Sequence, residues 1–203
     1  GKADAAIFRP STNTWFINNS GGGTTITGFG TAGDLPVPAD YDGDGKADVA
    51  VFRPSDGNWY ISRSTAGFLA LNFGLNGDLP VQADYDADGR TDIAVFRPST
   101  GIWYILRSTA GFTALGFGTS GDKPVQGDYD GDGKADIAVF RPSEGRWYLQ
   151  RSTAGFFSTA FGLGTGVEAG FGGATVVGAT ASCACSAARS SSLMHFEVSP
   201  TVS

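Results

Sequence analysis

The sequence predicts an all-β protein built from tandem four-stranded antiparallel sheets. Three observations carry this prediction: a composition rich in glycine, a repeat of 44 residues, and strand-sized apolar segments separated by short turns. The 203 residues include 31 glycines and 41% hydrophobic residues, enough apolar material for a buried core. Glycine with many Thr, Ser, Phe and Val residues is typical of short strands joined by tight turns.

The repeat becomes visible when the chain is compared with itself at a shift of 44 residues. A tryptophan, a phenylalanine and an Arg-Pro pair recur at this spacing in every unit. Repeats of this length are typical of solenoids and propellers. We expect the repeated aromatic residues to fill the core between units; the tryptophans are Trp15, Trp59, Trp103 and Trp147.

Each unit contains four strand-sized segments, which the third unit illustrates. "PVQAD" (80–84) is followed by an acidic loop and then by "DIAVFRPS" (92–99), "WYILRS" (103–108) and "FTALGFG" (112–118). The glycine-bearing connection "STG" between the second and third segments predicts a hairpin. "IAVF" is apolar on both faces, as in a strand covered on both sides. Such four-stranded meanders predict the blades of a β-propeller or a propeller-like repeat array.

The repeat region is predicted to span residues 1–163. Its first unit lacks the first strand, and three full repeats start near residues 34, 78 and 122. Because the chain opens inside a repeat, we expect a processed or truncated start. Residues 164–203 diverge from the pattern but contain strand-like segments. The sequence leaves open whether this tail closes the first blade or donates a strand to another molecule, which would make a ring or a fibre respectively.

A repeated arginine precedes proline at the end of each apolar strand. Because a guanidinium group can bind a carboxylate through two parallel hydrogen bonds, these arginines suit ion pairs better than ligand recognition. We expect Arg53, Arg97 and Arg141 to pair with acids between neighbouring blades.

Each full repeat also carries an acidic loop with aspartates at positions 1, 3, 5 and 9 and glycine at position 6. This is the spacing of calcium ligands, because alternate side chains of a tightly curled loop converge on one ion and the glycine turn presents the carbonyl of position 7. The predicted ligands are Asp40, Asp42, Asp44, Lys46 and Asp48; Asp84, Asp86, Asp88, Arg90 and Asp92; and Asp128, Asp130, Asp132, Lys134 and Asp136.

We expect three Ca²⁺ ions in these loops. An EF-hand is not indicated, because position 12 is a valine inside a strand instead of a glutamate. Magnesium fits less well, since it requires a rigid octahedron with several waters. Solvated Asp-Gly turns are the simpler alternative, but a turn needs one aspartate and not four. Three Ca²⁺ ions would also offset the formal net charge of −6.

Charge and residue types weigh against several function classes. The basic residues are spread singly and the pI is about 4.6, so nucleic-acid binding is not expected. No apolar stretch approaches the roughly 20 residues that span a bilayer. An enzyme is not expected, because the single histidine is His195 in the tail and no G-x-S-x-G motif is present. Cys183 and Cys185 leave free thiols and a disulfide as alternatives.

The combination of "DYDGDGKADIAVFRPS" with a later "WY" and a trailing "FG" resembles the FG-GAP or VCBS-type repeats of bacterial surface and secreted proteins, which are related to integrin α-subunit propeller blades. The resemblance extends from residue 1 to about residue 163 and includes "FG" at Phe73, Phe117 and Phe161. It implies propeller blades with calcium between their first two strands, and roles in adhesion, recognition or surface structure.

We therefore expect a secreted or cell-surface, calcium-stabilised protein with a structural or adhesive role, assembling head to tail into fibres. Calcium loops of this kind fill at extracellular ion concentrations, which favours export. The alternative is a soluble recognition propeller, either lectin-like or receptor-binding. The expected partners are further copies of the chain or surface molecules, with glycans as a further candidate class.

Overall fold

The computed structural model describes residues 4–162, and these residues form fifteen strands in four antiparallel sheets. The predicted all-β architecture of tandem blades is confirmed: three sheets have four strands and the first has three. Among the described residues no helix could span a membrane. The predicted tail, with its cysteines, its histidine and its candidate strands, lies outside the described residues.

The sheets follow one another along the chain, and we call them blades 1 to 4. Blade 1 contains β1 (Ala5–Arg9), β2 (Thr14–Asn18) and β3 (Thr24–Gly28). Blade 2 contains β4 (Leu35–Pro36), β5 (Val49–Arg53), β6 (Asn58–Arg63) and β7 (Gly67–Asn72). Blade 3 contains β8 (Leu79–Pro80), β9 (Ile93–Arg97), β10 (Ile102–Arg107) and β11 (Gly111–Gly116). Blade 4 contains β12 (Lys123–Pro124), β13 (Ile137–Arg141), β14 (Arg146–Arg151) and β15 (Gly155–Ala160).

Within each four-stranded blade the strands are neighbours in chain order, as in a meander. The acidic loop connects the first strand to the second, and a single β-bridge closes its base. These bridges are Ala39–Asp48, Ala83–Asp92 and Gly127–Asp136. The fold therefore places all three acidic loops at the same position of their blades.

The hydrophobic core lies between the blades, where the sequence predicted the aromatic residues. Trp59 of blade 2 is fully buried and packs in one cluster with Ile93 and Val95 of blade 3. Its indole N–H donates to the carbonyl oxygen of Phe73 (2.8 Å), which belongs to the "FG" pair. A Cβ on Gly74, the glycine of that pair, would lie 3.2 Å from the Phe52 ring. The "FG" motif thus lets the chain pass closely over the core.

The repeated arginines pair with acids, but inside a blade and not between blades. The Arg97 guanidinium donates through Nε and Nη2 to the two carboxylate oxygens of Asp78, both at 2.8 Å. Asp78 directly precedes β8, and β8 pairs with β9, which ends at Arg97. The pairing of these two strands therefore brings the acid to the arginine of its own blade. Arg53–Asp34 and Arg141–Asp122 repeat this ion pair.

Candidate metal centre

Each acidic loop brings three carboxylates together, and they come from positions 1, 3 and 9. In each loop, one oxygen atom from each of these three aspartates lies within 4.8 Å of the other two. We call each group a triad. The triads are Asp40, Asp42 and Asp48; Asp84, Asp86 and Asp92; and Asp128, Asp130 and Asp136.

The aspartate at position 1 shapes the loop, as the middle loop shows. Asp84 Oδ1 accepts the backbone N–H of Ala87 (2.7 Å), and Oδ2 accepts that of Gly89 (2.9 Å). Gly89 is position 6 and has a φ of 83°, a left-handed conformation that favours glycine. These two bonds curl the loop around the carboxylate, as its calcium-loop spacing predicts.

The aspartate at position 9 lies deepest in the triad. Asp92 is only 1% exposed, and its two oxygens accept the backbone N–H groups of Ser108 (2.7 Å) and Tyr85 (2.9 Å). Burial disfavours the charged carboxylate and raises the pKa of Asp92 to about 6. Burial also raises the pKa of Asp48 at the same position of the first loop. A cation close to this group would offset the cost of its burial.

The aspartate at position 3 carries the clearest sign of an absent partner. Asp86 Oδ2 accepts the hydroxyl of Thr109 (2.6 Å) and the backbone N–H of Ala110 (3.0 Å). Asp86 Oδ1 is buried without any hydrogen-bond partner, and so is Oδ1 of Asp42 and of Asp130. An unpaired buried carboxylate oxygen is costly, and three at one repeated position require an explanation. A metal ion bound by each triad explains all three.

The aspartate at position 5 is a predicted ligand that the structure leaves outside the triad. Asp88 Oδ1 accepts the backbone N–H of Arg90 (2.8 Å), and its Oδ2 accepts the hydroxyl of Ser108. Asp44 and Asp132 make the equivalent bonds in their loops. At position 7, Lys46, Arg90 and Lys134 are thus placed by their N–H groups, and a ligand role for their carbonyl oxygens stays a prediction.

Sequence reasoning missed the residues that hold the acids in place. The turn between the last two strands of each full blade reads "STAG", and its N–H and hydroxyl groups donate to positions 3, 5 and 9. In the first loop the Thr65 hydroxyl donates to Asp42 (2.7 Å) and lowers the pKa of that carboxyl to about 2. The signal was available, because "STAG" recurs with the same spacing as the loops.

Neighbouring acidic loops also contact each other. The backbone N–H of Thr91 in the middle loop donates to the carbonyl oxygen of Asp40 in the first loop (2.7 Å). Ala135 makes the same bond to Asp84 one blade further on (2.7 Å). Each bond joins position 8 of one loop to position 1 of the preceding loop. The three candidate sites therefore form a connected row along the edge of the blades.

Tandem antiparallel blades with a repeated acidic triad define a class of acidic-loop repeat proteins. The family model for FG-GAP-like repeats matches residues 1–51 and 84–139, together more than half of the sequence. The chain therefore belongs to the FG-GAP-like repeat family, as the resemblance in its sequence implied. No curated protein matches the chain.

Solved structures support the propeller-like arrangement of the blades. A streptogramin B lyase has a TM-score of 0.53 and 10% identity over 78% of this chain and 51% of its own. Virginiamycin B lyase from Staphylococcus aureus has a TM-score of 0.54 and 10% identity over 81% of this chain and 54% of its own. At this identity the similarity concerns the fold alone. The chain spans about half the length of both lyases.

Proposed function

We propose that this protein is a secreted or cell-surface repeat protein with a structural or adhesive role, and that Ca²⁺ bound in its acidic loops makes its blades rigid. The observation that carries this proposal is the buried, unpaired Oδ1 atom at position 3 of every loop. It lies in a triad whose oxygen atoms are within 4.8 Å of one another. Carboxylate oxygens are the ligands that Ca²⁺ prefers.

Calcium suits the triads better than magnesium does. The loops offer carboxylate and backbone oxygens on a curled and adaptable segment, whereas Mg²⁺ demands a near-ideal octahedron and retains several waters. The loop residues that would hold the ion are the triad aspartates, with the predicted position 5 carboxylate and position 7 carbonyl as further oxygen donors. Bound calcium would offset most of the negative charge of the three converging carboxylates.

Metal binding of this kind acts mainly on stability. Without an ion, the three carboxylates of a triad repel one another and the folded state is weakened. An ion that binds only the folded state at 100 times its dissociation constant adds about 2.7 kcal/mol per site. Millimolar calcium outside cells would supply that degree of filling for a suitable site, which supports an extracellular location.

Two further features support a structural role over a catalytic one. The same centre is repeated in three blades, whereas a catalytic site is usually built once from different groups. The acids of the centre are held by turn residues and by each other's loops. We propose no enzymatic activity. Copies of the chain assemble head to tail into fibres in this account, and their partners are further copies or surface molecules.

A recognition propeller, either lectin-like or receptor-binding, is the second candidate function. A groove between blades 2 and 3 favours it, because its lining combines apolar and hydrogen-bonding side chains. Leu69 and Leu71 line one side, and Thr91, Arg107 and Ser108 line the other. Such a mixed surface could take a glycan or a peptide. A glycan-array screen of the purified protein tests this candidate directly.

Electron microscopy of the purified chain in millimolar calcium and then in chelator tests the proposed function. We expect fibres in calcium that dissolve on chelation, together with a lower melting temperature in chelator. Discrete particles in calcium that bind a glycan would favour the recognition function. A melting temperature that is insensitive to calcium would contradict the proposed role of the ion.

A further inference from the structure

The outer face of blade 1 carries a row of apolar side chains. Ile7 is paired with Phe16, and Phe16 with Ile26, across the three strands of the sheet. Because directly paired residues of an antiparallel sheet point to the same face, the three side chains are neighbours. We call them the blade 1 row. Ile7 is 69% exposed and Ile26 is 63% exposed.

The Ile7 position of this row is covered in the other blades. Val51, Val95 and Val139 occupy the position of Ile7 in blades 2 to 4, and none of them is more than 1% exposed. They lie against the preceding blade. The exposure of Ile7 within residues 4–162 therefore marks one unpaired half of an inter-blade interface.

The side chains of the blade 1 row are larger or more apolar than their equivalents in blades 2 to 4. Ile7 stands where blades 2 to 4 have a valine, and Phe16 stands where they have a tyrosine. Isoleucine at position 26 stands where the other blades have Ala70, Ala114 and Ser158. An exposed apolar patch of this kind marks an interaction surface.

The complementary half of an inter-blade interface is exposed on blade 4. Trp147, Leu149, Phe157 and Phe161 line a groove together with Tyr129, Arg151 and Thr159. We call this the blade 4 groove. In blade 2, the residues equivalent to its aromatic and aliphatic members pack in the core against blade 3. In blade 4, by contrast, Phe161 is 66% exposed and no described residue covers the groove.

We propose that the blade 1 row of one copy docks into the blade 4 groove of a second copy. The inference rests on the head-to-tail association in the proposed function and assigns the surfaces that make it. The partner is thus a second copy of this chain, and the contact repeats the interface that the chain already forms three times between its own blades.

The internal interfaces supply the detailed geometry of this contact. Each "FG" glycine lies close to the valine of the following blade. A Cβ added to the glycine would lie 3.2 Å from the valine in the pair Gly30–Val51, 3.4 Å in Gly74–Val95 and 3.3 Å in Gly118–Val139. The second strand of each blade thus rests its valine against the glycine of the preceding blade. Ile7 takes the place of that valine, and Gly162 is the "FG" glycine of blade 4. In the proposed contact Ile7 rests against Gly162 of the second copy.

A contact between two different surfaces has a consequence for assembly. Residues 4–162 of each copy offer one row and one groove, and in the proposed contact copies add head to tail. Such interfaces form a closed ring when the rotation between copies closes, and an open filament when it does not. Both products are broken by the loss of either surface.

Two single variants and their mixture test the proposal. Ile7→Asp removes the row and keeps the groove, whereas Phe161→Asp damages the groove and keeps the row. Both side chains are largely exposed, so the fold should survive, and circular dichroism checks this. We expect each variant to be monomeric by sedimentation velocity in millimolar calcium, because loss of a buried apolar side chain weakens binding by about tenfold or more. The mixture should form a dimer through its one intact row and one intact groove.

A matched control is Leu75→Asp, since Leu75 is 58% exposed but lies in neither surface. This variant should assemble like the wild-type protein. The proposal is overturned if Ile7→Asp and Phe161→Asp assemble like wild type, or if their mixture stays monomeric. Fibres that persist in both variants would assign assembly to strand exchange and leave the proposed function intact. A monomeric wild-type protein that still binds calcium would overturn the docking and leave the metal role standing.

Discussion

Each full blade buries carboxylate oxygens of two kinds of aspartate, and only one kind is paired with an arginine. Asp78 is 3% exposed and receives a two-pronged hydrogen bond from Arg97, with a third bond from the N–H of Leu75. Asp86 leaves one buried oxygen without a partner. Among residues 4–162 no ion pair reaches a triad aspartate. Each full blade supplies an arginine to one buried acid and none to its triad, and this contrast supports the proposal that a cation from solution binds the triad.

The pKa values of two arginine-paired acids and of two position 9 acids are shifted in opposite directions. Burial alone would raise the pKa of Asp34 and Asp122, but hydrogen bonds from Arg53 and Arg141 and from backbone N–H groups lower both. At position 9 of the triads the balance is reversed, because burial dominates and raises the pKa of Asp92 to about 6. Hydrogen bonds thus favour the charged form of Asp34 and Asp122, whereas burial disfavours the charged form of Asp48 and Asp92.

The largest effect should come from breaking an internal ion pair. Arg97→Ala leaves the Asp78 carboxylate buried and unpaired, which costs about 3 kcal/mol or more. The loss should be the same in calcium and in chelator, because Asp78 belongs to no triad. Urea unfolding in both conditions measures it, with Arg97→Lys as the control that keeps the charge but loses the two-pronged bond. If Arg97→Ala lost stability only in the presence of calcium, the two kinds of aspartate would not act separately.

A smaller, calcium-dependent effect is expected at the triad. Asp86→Ala should remove one site and lower the free energy of unfolding by about 2.7 kcal/mol in saturating calcium. In chelator the loss should be smaller, because no bound ion is lost and one repelling carboxylate is gone, and only the hydrogen bonds from Thr109 and Ala110 are missing. Thermal unfolding with and without calcium measures both values. The exposed turn residue Asp56 supplies the control Asp56→Ala, which should show no calcium dependence; an equal loss for Asp86→Ala in chelator would oppose the account.

The carboxylate at position 5 should matter less than the one at position 3. Asp88 lies outside the triad and is already bonded by Ser108 and Arg90. Asp88→Ala should therefore weaken calcium binding at its loop less than Asp86→Ala does. Calcium titration of the two variants decides between them. Equal losses would mean that the ion draws Asp88 into its coordination shell, as the loop spacing predicts.

The smallest effect should be the loss of stability at low pH that comes from the arginine-paired aspartates. A carboxylate with a lowered pKa stabilises the fold above its unfolded pKa, and this contribution is lost as the pH falls through the folded value. For Asp34 and Asp122 the free energy of unfolding in chelator should therefore decrease as the pH falls below about 4. Urea titrations across this range measure the slope. Arg53→Ala should reduce it, and an unchanged slope would argue against the Asp34 contribution.

The repeat and the loop spacing made much of this structure predictable. The period of 44 residues located the buried tryptophans, and the alternate aspartates located the triads. The partner of Arg97 was predicted in the wrong place, because the pairing of the two-residue strand β8 with β9 decides it and so short a strand gives no periodic signal. The position of Asp88 outside the triad depends on a hydrogen bond from the "STAG" turn. This is a tertiary contact, so the spacing of the loop residues alone does not predict it.

Isothermal titration of the wild-type chain and of Asp86→Asn with Ca²⁺ measures directly whether each triad binds one ion. Asparagine keeps the size of the side chain and removes its charge, so the fold should be retained. We expect three bound ions per wild-type chain and two per variant chain, one for each intact triad. A wild-type chain that binds no calcium, or a variant that binds as many ions as the wild type, would contradict it.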